Sequence, residues 1–176
     1  RAALAPASED GDRCEVAIAV DLPDGTETFV ELWLPQQGLP EPAAGLALRL
    51  QPPGLAATLD AAPDRSATLR DRGRVVAALV NLTGAQASAP ALGAGGMALV
   101  ALGSTRNLQG WRAPTGRWAL SLQNLGQKPL VADLWLQRRD VPGDLAGNRA
   151  QYGFVDLPDQ RPDGQGAWRS TQGTLC

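Results

Sequence analysis

Apolar and polar residues alternate along this chain in short runs, and each run ends at glycine, proline, asparagine or aspartate. Cys14 to Asp21 is rich in β-branched residues, Leu22-Pro23-Asp24-Gly25 breaks it, and Thr28 to Leu34 then alternates until Pro35 stops it. An Asp-Gly pair supplies the positive φ of tight hairpin turns, so the pattern predicts that these two strands form a hairpin. Leu46 to Leu50, Leu55 to Leu59 and Thr68 to Arg70 are shorter runs divided by Pro52-Pro53-Gly54 and Ala62-Pro63-Asp64. Arg74 to Leu82 and Met97 to Leu102 are nearly continuous apolar runs, which at this length predict buried strands rather than helices.

The strictest alternation lies in Gly116 to Asn124; a turn at Leu125 to Gln127 follows, then a second run from Pro129 to Arg138, so these two are expected to be antiparallel neighbours. Fourteen prolines and twenty glycines leave no room for a long amphipathic helix. The expected fold is an all-β antiparallel sandwich, jelly-roll-like, of about eight or nine strands. Residues 1–13 read as a flexible lead-in and 14–176 as one domain. One motif recurs: Glu31-Leu32-Trp33-Leu34 and Asp133-Leu134-Trp135-Leu136. Each reads as a half-buried strand with its acid outside and its tryptophan within, and a duplicated half is the alternative.

A chain of 176 residues can bury roughly 70% of its unfolded surface in one core. Its 16 basic and 18 acidic residues are spread without a basic stripe, which argues against a nucleic-acid partner. No apolar stretch reaches the length of a membrane helix, and no membrane partner is expected. The chain starts at Arg1 and stops after Gly173-Thr174-Leu175-Cys176, with no leader-like segment at its start, and reads as a piece of a longer polypeptide. Arginine supplies every basic residue except Lys128, a bias typical of GC-rich bacterial coding.

Composition also restricts the chemistry. There is no histidine, so the Ser-His-Asp and Cys-His arrangements and the His-containing zinc motifs cannot be assembled from this chain. No catalytic residue, metal ligand set or cofactor motif is assigned. Asp133 with Asp140 is a weak candidate carboxylate pair, and Asp159 with Asp163 lacks the spacing of a calcium loop. Of the five tryptophans, Trp111, Trp118 and Trp168 are the candidates for an exposed binding platform, whereas Trp33 and Trp135 are expected in the core. Cys14 and Cys176 could close a loop of about 160 residues, stabilising by ~4–5 kcal/mol in the chain-entropy model, or remain unrelated thiols. Asn81-Leu82-Thr83 is a formal glycosylation sequon, of a kind that arises often by accident.

Ala113-Pro114-Thr115-Gly116-Arg117-Trp118 and the period-two strand after it resemble jelly-roll accessory domains of bacterial subtilisin-like serine peptidases. Val131 to Asp140 and the loop Asn148-Arg149-Ala150-Gln151-Tyr152 are similar to the Trp-hydrophobe-Gln-Arg-Asp element and the Arg-Gln-aromatic loop of a β-domain inserted in such enzymes. Arg138-Arg139-Asp140 departs from the usual Arg-Asp-Asp order. The closing Gly173-Thr174-Leu175 is similar to the stretch that re-enters the catalytic domain. The resemblance spans Ala113 to Cys176. It implies a noncatalytic domain, carried by a secreted or periplasmic serine endopeptidase, whose partners are the catalytic domain and a peptide substrate. Arg138, Asp140 and Tyr152 join Trp111, Trp118 and Trp168 as candidate interface residues. The alternative is a free-standing carbohydrate- or protein-binding module.

Overall fold

The computed structural model describes residues 2–6, 13–20, 27–34, 45–84, 96–105, 112–137 and 152–155, the last four as backbone only. Among them there is no helix and there are eleven strands. β1 is Ala2–Leu4, β2 Cys14–Val20, β3 Thr28–Trp33, β4 Leu46–Gln51, β5 Leu59–Ala61 and β6 Arg65–Asp71. β7 is Arg74–Leu82, β8 Met97–Leu102, β9 Gly116–Asn124, β10 Leu130–Gln137 and β11 Tyr152–Val155. Six form a sheet in the order β1-β10-β3-β8-β7-β6, and five form a second in the order β11-β2-β9-β4-β5. All pairings are antiparallel, so the all-β sandwich expectation holds.

Two local expectations are corrected. β2 and β3 do not form a hairpin, because β2 pairs with β9 and β11 while β3 pairs with β8 and β10 in the other sheet. β9 and β10 likewise part into opposite sheets. Alternation fixes which residues share a face, but it does not say which sheet a strand joins; both runs cross the sandwich instead of folding back. The tight hairpin is β6–β7, whose tip Arg72-Gly73 takes φ of 48° and 78°. Residues 2–4, read as part of the lead-in, form β1 against β10, with Ala2 and Leu4 buried.

The core fills the space between the sheets with Val16, Ile18, Leu46, Leu50, Leu120 and Leu122 from one side and Val30, Leu32, Leu79, Val100 and Leu102 from the other. Burying each such side chain stabilises by about 1.5–3 kcal/mol. Trp118 is the largest member, with 0% exposure, and its Nε1 donates to Pro114 O at 3.1 Å. Its placement corrects its assignment to an exposed platform: Trp118 shares parity with Leu120 and Leu122, the apolar stripe of β9.

The sequon residues stitch the sheets together. Asn81 on β7 donates from Nδ2 to Leu46 O (2.7 Å) and Ala61 O (3.0 Å) in the opposite sheet. Thr83 Oγ1 donates to Asn81 Oδ1 (2.6 Å) and accepts from Leu46 N (2.9 Å). Both residues are fully buried, so Asn81 is a structural amide whose fold leaves no place for a glycan. The chain is tight here: Gly45 has φ 83°, and a Cβ on it would lie 2.8 Å from Pro63 Cγ and 2.9 Å from Thr83 O. Any side chain at Gly45 would prise the start of β4 from the β5–β6 turn.

Candidate functional site: the outer face of the six-stranded sheet

A strand with one wet face should alternate, but β7 and β8 are apolar in both phases. Their inner residues enter the core. Their outer residues, Ala78, Val80 and Leu82 on β7 with Met97, Leu99 and Ala101 on β8, lie across from one another in register. Phe29, Glu31 and Trp33 of β3 continue the face, opposite Ala101, Leu99 and Met97. The result is a second apolar layer, half-buried by its own members and lying on the side away from the core.

At the β3–β10 end the two copies of the repeated motif meet. The strands run antiparallel with Leu32 opposite Leu134, which sets Glu31 opposite Trp135 and Trp33 opposite Asp133. The motifs are thus related by a local twofold. On the outer face the tryptophans lie on one diagonal and the carboxylates on the other, with diagonal neighbours about 7–8 Å apart. Trp33 Nε1 donates to Glu31 Oε2 at 3.0 Å. Trp135 is 65% exposed, Trp33 36% and Val131, two residues before Asp133 on the same face, 45%.

This arrangement reverses the expectation that Trp33 and Trp135 are core residues. Residues two apart on a strand share a face, so Glu31 and Trp33, and equally Asp133 and Trp135, had to point the same way. The leucines between and after them point inward: Leu32 and Leu34 are buried, and Leu134 and Leu136 pack against the core. The acid-x-Trp spacing was the signal for an exposed tryptophan pair. Of the other candidate residues, Trp111, Trp168, Arg138, Asp140 and Cys176 lie outside the described residues, as do Asp159 and Asp163; Tyr152 is placed only by its backbone, in β11 opposite Val20.

The opposite outer face is different in kind. Glu15, Ser121, Arg49 and Asp60 form one cross-strand row over β2, β9, β4 and β5, with Ala17, Ala119 and Ala47 beside it. Arg13, Arg49, Asp60, Ser121 and Gln123 edge a depression of about 30 Å³, room for a water molecule or two rather than a substrate. Arg49 Nε donates to Asp60 Oδ1 at 2.6 Å, and Thr58 Oγ1 donates to Asp60 Oδ2 at 2.9 Å. The Arg49 hydrogen bond holds the Asp60 carboxyl below its ordinary range, against a smaller opposing push from burial.

Cys14, on the inner side of β2, is disulfide-bonded. The sequence has one other cysteine, Cys176. Among the described residues no group of three His, Cys, Asp or Glu side chains is placed to hold a metal ion. Compared with models of protein families, with curated proteins and with solved structures, the chain matches none.

Proposed function

We propose that this chain is a noncatalytic β-sandwich accessory domain of a bacterial subtilisin-like serine endopeptidase, packing on the catalytic domain to stabilise it or to shape substrate access. The observation that carries the docking part of this reading is the apolar outer face of the six-stranded sheet, with Trp33, Trp135 and Val131 exposed on it. Such a face is costly in water and supports a role in contact with another surface. Tryptophan is also the residue most enriched among the few that dominate interface energetics. The peptidase part rests on the resemblance of Ala113 to Cys176. The absence of histidine from the sequence agrees with a triad supplied elsewhere in the polypeptide. A disulfide at Cys14 agrees with an exported protein.

Reading the gene on both sides of codons 1 and 176 tests the proposal. Expected are the Asp and His elements of a serine peptidase upstream and a Gly-Thr-Ser element downstream. An open reading frame without them overturns it.

The paired, exposed tryptophans also favour a second reading, a sugar-stacking platform on a free-standing binding module. That reading requires tryptophan emission to change on titration with oligosaccharides, and to stay constant in a chain carrying Trp33→Ser and Trp135→Ser.

A further inference from the structure

We infer that β6, at the rim of the six-stranded sheet, is a docking edge for an extended acidic segment of another protein, which adds to the sheet as a further strand. The inference goes beyond the docking reading above, because it uses the rim of the sheet and not its apolar outer face.

The two sheets end in four edge strands. β1 and β5 have three residues each and β11 has four, whereas β6 has seven and contains no proline. One side of β6 pairs with β7; among the described residues no strand pairs with the other side. A strand in that position presents a row of unpaired N–H and C=O groups, which a second extended chain can take up. The side chains leave the rim open: Arg65, Ser66, Thr68 and Arg70 are exposed, while Ala67 and Leu69 are half-buried against the core. The register shift between Leu69 and Arg70 makes Arg65 to Leu69 the regular stretch, long enough for a partner strand of about five residues.

Charge selects the occupant. Arg65 stands at one end of that stretch, and Arg70, Arg72 and Arg74 stand at the other, all exposed. Arg112 joins the second group, its backbone N–H donating to Asp71 Oδ2 at 3.3 Å. Asp71 is the one acid from residue 65 to residue 74, and among the described residues none of these five arginines is in an ion pair. Arg70 Nη1 donates to Gly73 O at 3.0 Å, which ties the guanidinium to the hairpin tip and leaves further N–H donors for a carboxylate. A chain of formal net charge −2 thus carries a basic rim. A second copy of this chain is the poorer occupant, because β6 laid against β6 in either direction sets arginines beside arginines at both ends. Residues of a docked strand beside Ala67 and Leu69 face the core side, and those beside Ser66 and Thr68 face outward. The fitting partner therefore has β-branched residues in its middle and acids at both ends.

The test uses the full 176-residue chain and the fluorescence anisotropy of four probes carrying the same uncharged dye. They are Glu-Glu-Val-Thr-Val-Glu-Glu amide, its analogue with glutamine for every glutamate, the acidic peptide with every backbone nitrogen methylated, and a short single-stranded thymidine oligomer. The acidic peptide is expected to bind at least about fivefold more tightly than the glutamine peptide, and methylation to abolish binding. Added salt should shrink the preference for acid, and a chain with Arg70→Gln, Arg72→Gln and Arg74→Gln should lose it. Equal binding of the acidic and glutamine peptides, undiminished binding of the methylated peptide, tighter binding of the thymidine oligomer, or no binding of any probe would overturn the inference. If the triple variant does not fold, the four probes on the wild-type chain still decide. The outcome is separable from the peptidase reading: a bare edge in a chain flanked by peptidase elements leaves the domain assignment standing, and an acid-selective edge in a chain without them leaves the edge standing with another partner.

Discussion

The two outer faces of this sandwich solve the same problem in opposite ways. The five-stranded sheet turns Glu15, Arg49, Asp60, Ser121 and Gln123 outward around small alanines. It needs no cover. The six-stranded sheet turns out Phe29, Trp33, Met97, Leu99, Val80, Leu82 and Trp135, and so carries apolar residues on both of its faces. Backbone pairing is the same on both sides; the difference lies in side chains alone. Among the described residues, only the six-stranded sheet carries the apolar residues on both faces that a middle layer would need.

Substitutions that break this contrast rank by how deeply they reach into the shared core. Trp118→Ala should cost the most, about 3–5 kcal/mol, since it empties the largest buried side chain and loosens both sheets at once; urea unfolding followed by circular dichroism reads it. Cys14→Ser should cost about 2–5 kcal/mol, and a reducing agent should lower the wild-type midpoint by a similar amount while leaving the variant unchanged. Asn81→Ala removes two hydrogen bonds between sheets and the acceptor of the Thr83 hydroxyl proton, for about 2–3 kcal/mol.

Effects on the outer faces should be smaller. The Arg49–Asp60 pair is about half exposed on each side, so solvent screening limits it to at most about 1 kcal/mol. Because the folded-state pKa of Asp60 is lowered, its contribution is complete above the unfolded carboxylate range near pH 4 and fades as pH falls through the folded value. In Asp60→Asn that acid-side loss should be absent from a series of unfolding curves below pH 5. Trp33→Ser with Trp135→Ser should change the stability of the chain by only about 0.5 kcal/mol in either direction, although it removes two tryptophans. The contrast with Trp118→Ala measures the difference between a core face and an exposed apolar face directly.

Much of this was legible in the sequence. Strand positions followed from alternation and turn residues: Thr28–Trp33, Arg74–Leu82, Met97–Leu102 and Gly116–Asn124 all lie where the pattern places them. Partner choice was not legible, because Asp24-Gly25 marks a turn without saying whether the chain folds back or crosses to the other sheet. The exposed tryptophans were legible but misread: the parity shared by Glu31 with Trp33, and by Asp133 with Trp135, already put ring and carboxylate on one face. The structural use of Asn81 and Thr83 could not be read, since a sequon looks the same whether it faces solvent or ties two sheets together.

The central claim is that the outer face of the six-stranded sheet is covered when the domain is in place. Hydroxyl-radical footprinting, read residue by residue in the isolated chain and in the full polypeptide encoded by its gene, tests it most directly. Trp135, Trp33 and Met97 should be readily oxidised in the chain alone and strongly protected in the full polypeptide, while Gln123 and Arg49 on the other face change little. Equal oxidation of Trp135 and Trp33 in both forms would contradict the account.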